Sequence, residues 1–242
     1  MKPSALLPLF LTTILFAQTA PEVEITAEPH HHLALTNDQV RVFKVDVPPH
    51  TDTRMHWHRH DYMYVQLGAA EVVNAVKGKA PVTIKLQDGQ TGFTHGGFAH
   101  IARNPSDQPF RNVTIEILQD DKLRRAAQSR GGHWDPAHPD EDRGLNILQG
   151  GTQEILWVND GIRASEIELQ PGGILPEGRH PAAQLLVAIS DLDLRGAAPG
   201  TEITLIHLKS GDVKWFRARL ARQLTNTGHV LAKFVTLEFP GL

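Results

Sequence analysis

The fold is decided by the segment Val113-Thr114-Ile115-Glu116-Ile117, which alternates in hydrophobicity with a period of two residues and recurs 122 residues later. The later copy, Val235-Thr236-Leu237-Glu238-Phe239, keeps each residue type or replaces it by another apolar one. Alternation of this kind is typical of a β-strand. The recurrence indicates two units of one architecture.

Residues suited to tight turns recur at the same offset, between further alternating segments. The recurring turn residues are Asn37-Asp38 with Asn159-Asp160, Pro49 with Pro171, Gly89 with Gly211, and Asn104 with Asn226. The further alternating segments are 40–47, 82–86, 162–169 and 202–208. Many short strands separated by turn signals favour an all-β architecture of sandwiches or barrels. The sequence therefore predicts two small β-barrels in tandem.

Composition excludes several classes of function. The chain has 242 residues and a formal net charge of −3, so there is no electrostatic basis for binding nucleic acid. It contains no cysteine, which excludes disulfides, a thiolate nucleophile and cysteine-ligated metals. Histidine is prominent, with 14 residues.

The ends and the middle of the chain suggest how it is organised. Residues 1–20 have the layout of a signal peptide, which predicts a periplasmic or secreted protein with no stable membrane insertion after cleavage. Residues 23–119 and 152–242 are the predicted barrels, and 120–151 is rich in Gly, Pro and charge, as in a linker. We therefore expect separable halves, with a homodimer as one oligomeric state that the protein can adopt.

Histidines at alternate positions are the strongest sign of chemistry. His56, His58 and His60 are spaced by two, so on an extended strand all three would point to one face. His100 lies in a second candidate segment. Neutral imidazole is the commonest metal ligand. The alternative is a barrel interior in which histidines hydrogen-bond to one another and to water. For His30-His31-His32, a flexible tail is favoured over a metal-collecting tract.

Two segments resemble the motifs of the cupin superfamily. Residues 89–104 fit the second motif, G-x5-P-x-G-x2-H-x3-N, at every spacing, with His95 in place of proline. The first motif, G-x5-H-x-H-x(3,4)-E-x6-G, fits less well. No glutamate follows His58-x-His60, and the pair His56-x-His58 places Asp61 one residue too early. The resemblance covers residues 33–118 and, through the repeat, 155–239.

This resemblance implies a tandem, bicupin-like protein of jelly-roll barrels (double-stranded β-helices). It also implies a divalent metal held by His58, His60 and His100, with His56 competing for one place and Asp61 as a possible carboxylate ligand. Three histidines without a carboxylate favour Zn, Cu or Ni, whereas a carboxylate would admit Fe or Mn. His95 is interpreted as a residue of the barrel mouth.

The second copy has lost this set of residues. At the offset of 122, His58 becomes His180, while the other candidates become Gly178, Ala182, Ala183 and Arg222. An arginine cannot ligate a metal and repels cations. We therefore predict one metal, in the first barrel, and a degenerate second barrel. Arg41 with Glu116, and Arg163 with Glu238, are interpreted as cross-strand ion pairs.

Two functions remain open from the sequence. The first is a metal-dependent enzyme, of dioxygenase or isomerase type, that acts on a small molecule. The second is a non-catalytic module that binds a small molecule or a metal, with the second barrel as a structural partner. No catalytic acid or base is identifiable beside the histidines.

Overall fold

The computed structural model describes residues 21–118, 144–159, 162–177, 182–197, 202–217 and 223–239. The predicted signal peptide, 1–20, and residues 120–143 of the predicted linker lie outside the described residues. A strand begins at Gly144, within the range that composition assigned to the linker. No described residue belongs to a helix long and apolar enough to cross a membrane.

The first barrel is built from eleven strands and a short 3-10 helix (Ile25–Ala27). The strands are β1 (Val23–Glu24), β2 (His31–Thr36), β3 (Val40–Val47), β4 (Thr51–Asp52), β5 (His56–His58), β6 (Tyr62–Leu67), β7 (Ala70–Val76), β8 (Val82–Leu86), β9 (Thr91–Thr94), β10 (Phe98–Asn104) and β11 (Phe110–Ile117). They form two sheets, ordered β1-β5-β10-β7-β8, with β4 beside β10, and β2-β3-β11-β6-β9. The interior lies between these sheets.

The second barrel is one sheet of eight strands. These are β12 (Gly144–Asn159), β13 (Ile162–Leu175), β14 (Ala183–Ala188), β15 (Leu192–Ala197), β16 (Thr204–Leu208), β17 (Val213–Phe216), β18 (Gln223–Asn226) and β19 (Ala232–Phe239). Their order is β16-β15-β18-β13-β19-β14-β17, with β12 paired to β13. The predicted all-β fold of two tandem barrels is confirmed.

The turn residues chosen from the sequence have matching roles in the two barrels. Asn104 Nδ2 donates to the carbonyls of Val47 and Gln108, and Asn226 Nδ2 donates to those of Leu169 and Val230. The carbonyl partners are themselves 122 residues apart. Gly89 and Gly211 have φ of 78° and 85°, a region that a side chain disfavours.

The two barrels share a hydrophobic core. Val113, Ile115 and Ile117 of β11 belong to one buried cluster with Val235, Leu237 and Phe239 of β19. Each fully buried side chain of this kind contributes roughly 1.5–3 kcal/mol. The stability of each barrel therefore depends on its neighbour, while the separability of the halves by proteolysis stays a prediction.

Both predicted ion pairs form across neighbouring strands. Glu116 lies opposite Arg41 in the pairing of β11 with β3, with Nη1 3.1 Å from Oε2. Glu238 lies opposite Arg163 in the pairing of β19 with β13, with Nε 2.8 Å from Oε2. The side chains of Glu116 and Glu238 are 1% and 8% exposed, so these pairs are structural parts of the barrel walls.

Candidate metal centre

Three of the predicted histidines meet inside the first barrel. His56 and His58 lie on β5 and point inward, with exposures of 0% and 2%. Strand β10 runs antiparallel to β5 and places His100 opposite His56. The short strand and its neighbour therefore bring together residues that are 42 and 44 positions apart.

The Nε2 atoms of these three imidazoles converge. They are 3.2 Å apart between His56 and His58, and 3.1 Å apart from His100 to each of the other two. Metal–nitrogen bonds of about 2.0–2.1 Å place ligand nitrogens roughly 2.9–3.3 Å apart at octahedral to tetrahedral angles. The triad of His56, His58 and His100 therefore fits one divalent ion.

Hydrogen bonds to the far side of two rings set the tautomer that a metal ligand requires. His56 Nδ1 donates to the carbonyl oxygen of Arg54 at 2.8 Å, and His100 Nδ1 donates to Asn74 Oδ1 at 2.7 Å. A proton on Nδ1 leaves the lone pair of Nε2 free. The Nδ1 atom of His58 is buried and has no hydrogen-bond partner in the described part of the chain.

Burial keeps the triad in its neutral form. Burial, with the charge of His31, lowers the pKa of His56 to about 4. Burial, with the charge of His56, lowers the pKa of His100 to about 3. Burial, followed by the nearby histidines, also lowers the pKa of His58 well below its ordinary range. Neutral imidazoles at physiological pH are the form that binds a metal.

A fourth imidazole comes from an unexpected place. His31 lies on β2 with a side chain that is 5% exposed, and its ring centroid is 4.6 Å from that of His56. Nitrogens of His31, His56 and His58 all lie within 4.8 Å of one another. The interpretation of residues 30–32 as a flexible tail is therefore wrong for His31. It points inward because it pairs with Val45 of β3, an inward-facing residue of the cavity wall.

The structure places His60 and Asp61 away from this cluster. Strand β5 ends at His58, and the backbone of His60 passes so close to Gly96 that a Cβ there would lie 2.4 Å from the His60 carbonyl. His60 is therefore not on an extended strand with His58. Burial, with the charge of Arg41, lowers its pKa. Asp61 accepts a hydrogen bond from the Gly96 N–H at 3.0 Å and lies 3.2 Å from Nδ1 of the exposed His95.

A cavity of about 200 Å³ adjoins the four histidines. Its polar lining consists of His31, His56, His58, His100, Tyr62, Tyr64, Asn74, Thr94, Asn112 and Thr114. Its apolar lining consists of Val45, Val72, Ile84, Leu86, Ala102 and Phe110. Tyr62 stacks on His58 at a centroid distance of 4.1 Å, and burial raises its pKa to about 12, so it is a neutral hydroxyl. A mixed lining of this kind suits a small molecule with an apolar body.

The described interior of the second barrel is apolar instead. Its described core consists of Ile167, Leu169, Leu186, Ala188, Leu192, Leu194, Ile206, Phe216, Leu224, Ala232 and Phe234. Ala182, at the position corresponding to His60, is buried. His180 and Arg222 lie outside the described residues. The group of potential metal ligands found among the described residues belongs to the first barrel.

Solved structures with the same fold span both barrels. Oxalate decarboxylase from Bacillus subtilis, a protein with Mn(II) centres, has 11% identity and a TM-score of 0.58, covering 89% of this chain and 76% of that chain. Oxalate decarboxylase from Lactobacillus farciminis, in a formate complex, has 15% identity and a TM-score of 0.56, covering 90% and 86%. Momordica charantia 7S globulin has 12% identity and a TM-score of 0.60, covering 84% and 74%.

These identities establish the fold and not the reaction, since the set contains a decarboxylase and a globulin. No protein-family model and no curated protein sequence matches the chain.

Proposed function

We propose that this chain is a bicupin, on the likeness of its fold to the solved structures, and that its first barrel binds one divalent metal ion through His56, His58 and His100. The observation that carries this proposal is the convergence of three Nε2 atoms whose rings are buried and neutral. The ligand set differs from the sequence expectation, because His56 takes the place proposed for His60.

The chemistry of the donors favours particular ions. The three nitrogens come from imidazole, and no acidic residue is among the described residues that line the cavity. Imidazole suits Zn, Cu, Ni and Fe, whereas carboxylates suit Mn and Mg. We therefore expect zinc, copper or nickel to bind more tightly than manganese, in contrast to the Mn(II) centres of the Bacillus subtilis protein.

A metal-dependent enzyme acting on a small molecule is the function that this site supports best. Three protein ligands leave coordination positions open, and a bound ion would supply Lewis acidity there. The adjoining cavity can receive a small molecule, and its lining includes Tyr62, whose hydroxyl hydrogen-bonds with Thr94. Residues 1–20 add the proposal that the protein acts outside the cytoplasm, which N-terminal sequencing of the mature chain would test.

Titration of metal-free protein with Zn²⁺ tests the metal proposal. Wild type should bind one equivalent, and His100→Ala should lose at least a hundredfold in affinity because two nitrogens make an incomplete site. His60→Ala is the matched control, since His60 belongs to the same histidine segment but lies outside the triad. Equal loss in both variants, or no binding by wild type, would contradict the proposal.

A non-catalytic binding module is the alternative, and turnover separates the two. Metal-loaded wild type and the Tyr62→Phe variant would be compared on a panel of small hydroxylated and carbonyl compounds. Conversion by wild type that falls in the variant supports an enzyme. Saturable binding of a compound without conversion, under air and with each metal, would favour the module.

A further inference from the structure

We propose that His31 is a fourth ligand of the metal in the first barrel, and that Glu28 is the residue that positions it. This inference rests on the proposed metal site and extends it to the N-terminal segment. Both residues precede the two motifs that carried the resemblance, and His31 is one of three consecutive histidines for which a flexible tail was the favoured interpretation.

A hydrogen bond to Glu28 orients the His31 ring. Its Nδ1 lies 2.6 Å from Glu28 Oε2. A carboxylate accepts, so Nδ1 carries the proton and the lone pair of Nε2 is free for a metal. Ligand nitrogens of His31, His56 and His58 lie within 4.8 Å of one another, a group that does not include His100. Ligands on opposite sides of one ion are about 4.2 Å apart, so the His31 ring must move towards the triad when the ion binds.

Backbone N–H groups hold Glu28 in place. Its side chain is fully buried and accepts hydrogen bonds from the backbone N–H groups of His30, at 2.8 Å, and Arg54, at 3.2 Å. The carbonyl of Arg54 in turn accepts the proton of His56 Nδ1 at 2.8 Å. The backbone of Arg54 therefore links the hydrogen bonds that orient His31 and His56, and a displacement of Glu28 would disturb both rings.

The Glu28 carboxylate also balances the charge of the ion. A divalent ion bound only by neutral imidazoles keeps its full charge in a buried site, which is unfavourable without a nearby anion. Asp61 is held in the turn beside Gly96, away from the cavity. Glu28 lies directly behind His31, and hydrogen bonds fix its carboxylate there. The negative charge of Glu28 therefore acts on the metal site through its hydrogen bond to His31, and Glu28 is not itself a ligand.

The test uses the full-length protein loaded with Co²⁺, whose visible absorption is strong for four-coordinate and weak for six-coordinate ions. His31→Gln keeps an amide donor for Glu28 and removes the nitrogen ligand. We expect at least tenfold weaker binding and a changed spectrum. Glu28→Gln should weaken binding about tenfold, as loss of a hydrogen-bond partner behind a ligand does. His32→Ala, an exposed neighbour on the same strand, is the control and should match wild type.

Wild-type affinity and spectrum in His31→Gln, with binding still lost in His100→Ala, would overturn the role of His31 and leave the proposed triad intact. Absence of binding by wild type would overturn both. X-ray absorption of the zinc-loaded wild type tests the same point without any variant. Four imidazoles around the ion are expected, and three imidazoles with an oxygen ligand would contradict the proposal.

Discussion

The two barrels share a scaffold and differ in what fills it. In the first, polar side chains surround a cavity of about 200 Å³, whereas the second has a packed apolar core. The substitutions are read directly at the offset of 122 residues: Tyr64 corresponds to Leu186, Thr94 to Phe216, and Asn112 to Phe234. The walls, turns and shared interface therefore specify the barrel, while its interior residues can change.

The largest difference should appear when equivalent interior residues are truncated. Phe234 is fully buried, so Phe234→Ala should lower the free energy of unfolding by about 3–5 kcal/mol. Asn112→Ala should cost only about 1 kcal/mol, because Asn112 lines an existing cavity and loses one hydrogen bond with Thr114. Urea denaturation measures both. Equal losses would show that the interiors do not differ as described.

The two ion pairs offer a second comparison. Glu238 contacts both Arg163 and Gln184, and the side chain of Arg163 is 14% exposed. Arg163→Met should therefore cost about 3 kcal/mol, as for the loss of one partner of a buried pair. Arg41 is 29% exposed, and burial raises the pKa of Glu116 to about 7 against the effect of Arg41. Arg41→Met should therefore cost less at pH 7, and a larger loss there would reverse the comparison.

Acid should destabilise the metal-free protein through the first barrel. The folded-state pKa of His56 is lowered to about 4 and that of His100 to about 3, mainly by burial. An unfolded chain binds protons at these residues below about pH 6.5, so the stability they give is present above that pH and is lost as pH falls towards 4. The loss by pH 5 is roughly 2 kcal/mol for each imidazole.

Urea denaturation of metal-free wild type and His100→Leu at several pH values checks this. The variant should show a shallower fall in stability between pH 6.5 and 5. Identical slopes would place the acid sensitivity elsewhere in the chain.

The smallest effect on stability is expected from an exposed ion pair that joins the two barrels. Lys44 and Asp212 form an ion pair, but both side chains are at least one-third exposed. Lys44→Ala should change stability by only about 0.5 kcal/mol, measured at low salt. In contrast, Val113→Ala in the shared core should cost more than 1 kcal/mol. A larger effect for Lys44 would mean that charge, and not apolar packing, holds the barrels together.

Local pattern was sufficient for much of this architecture. Alternation predicted β3 and β8 at their observed bounds, and the offset predicted the turn asparagines and the ion pairs. It did not reveal that β11 and β19 are buried on both faces, because the second face is covered by the other barrel. The alternation marked Val113, Ile115 and Ile117 as one buried face, but it could not show that the other barrel covers that face, because this contact depends on the whole fold.

The metal site shows the same limit. The spacing of His56 and His58, and the motif around His100, singled out three of the four imidazoles that cluster in the first barrel. His60 was included because an extended strand was assumed to continue, whereas strand β5 ends at His58 and the His60 backbone lies close to Gly96. Three consecutive histidines cannot reveal which one points inward, since that depends on the pairing of β2 with β3.

An anomalous difference map of a zinc-loaded crystal tests the central contrast most directly. We predict one peak in each chain, within bonding distance of the Nε2 atoms of His56, His58 and His100, and none inside the second barrel. A peak beside His180, or zinc bound at His60 in place of the triad, would contradict the proposal of a single metal site in the first barrel.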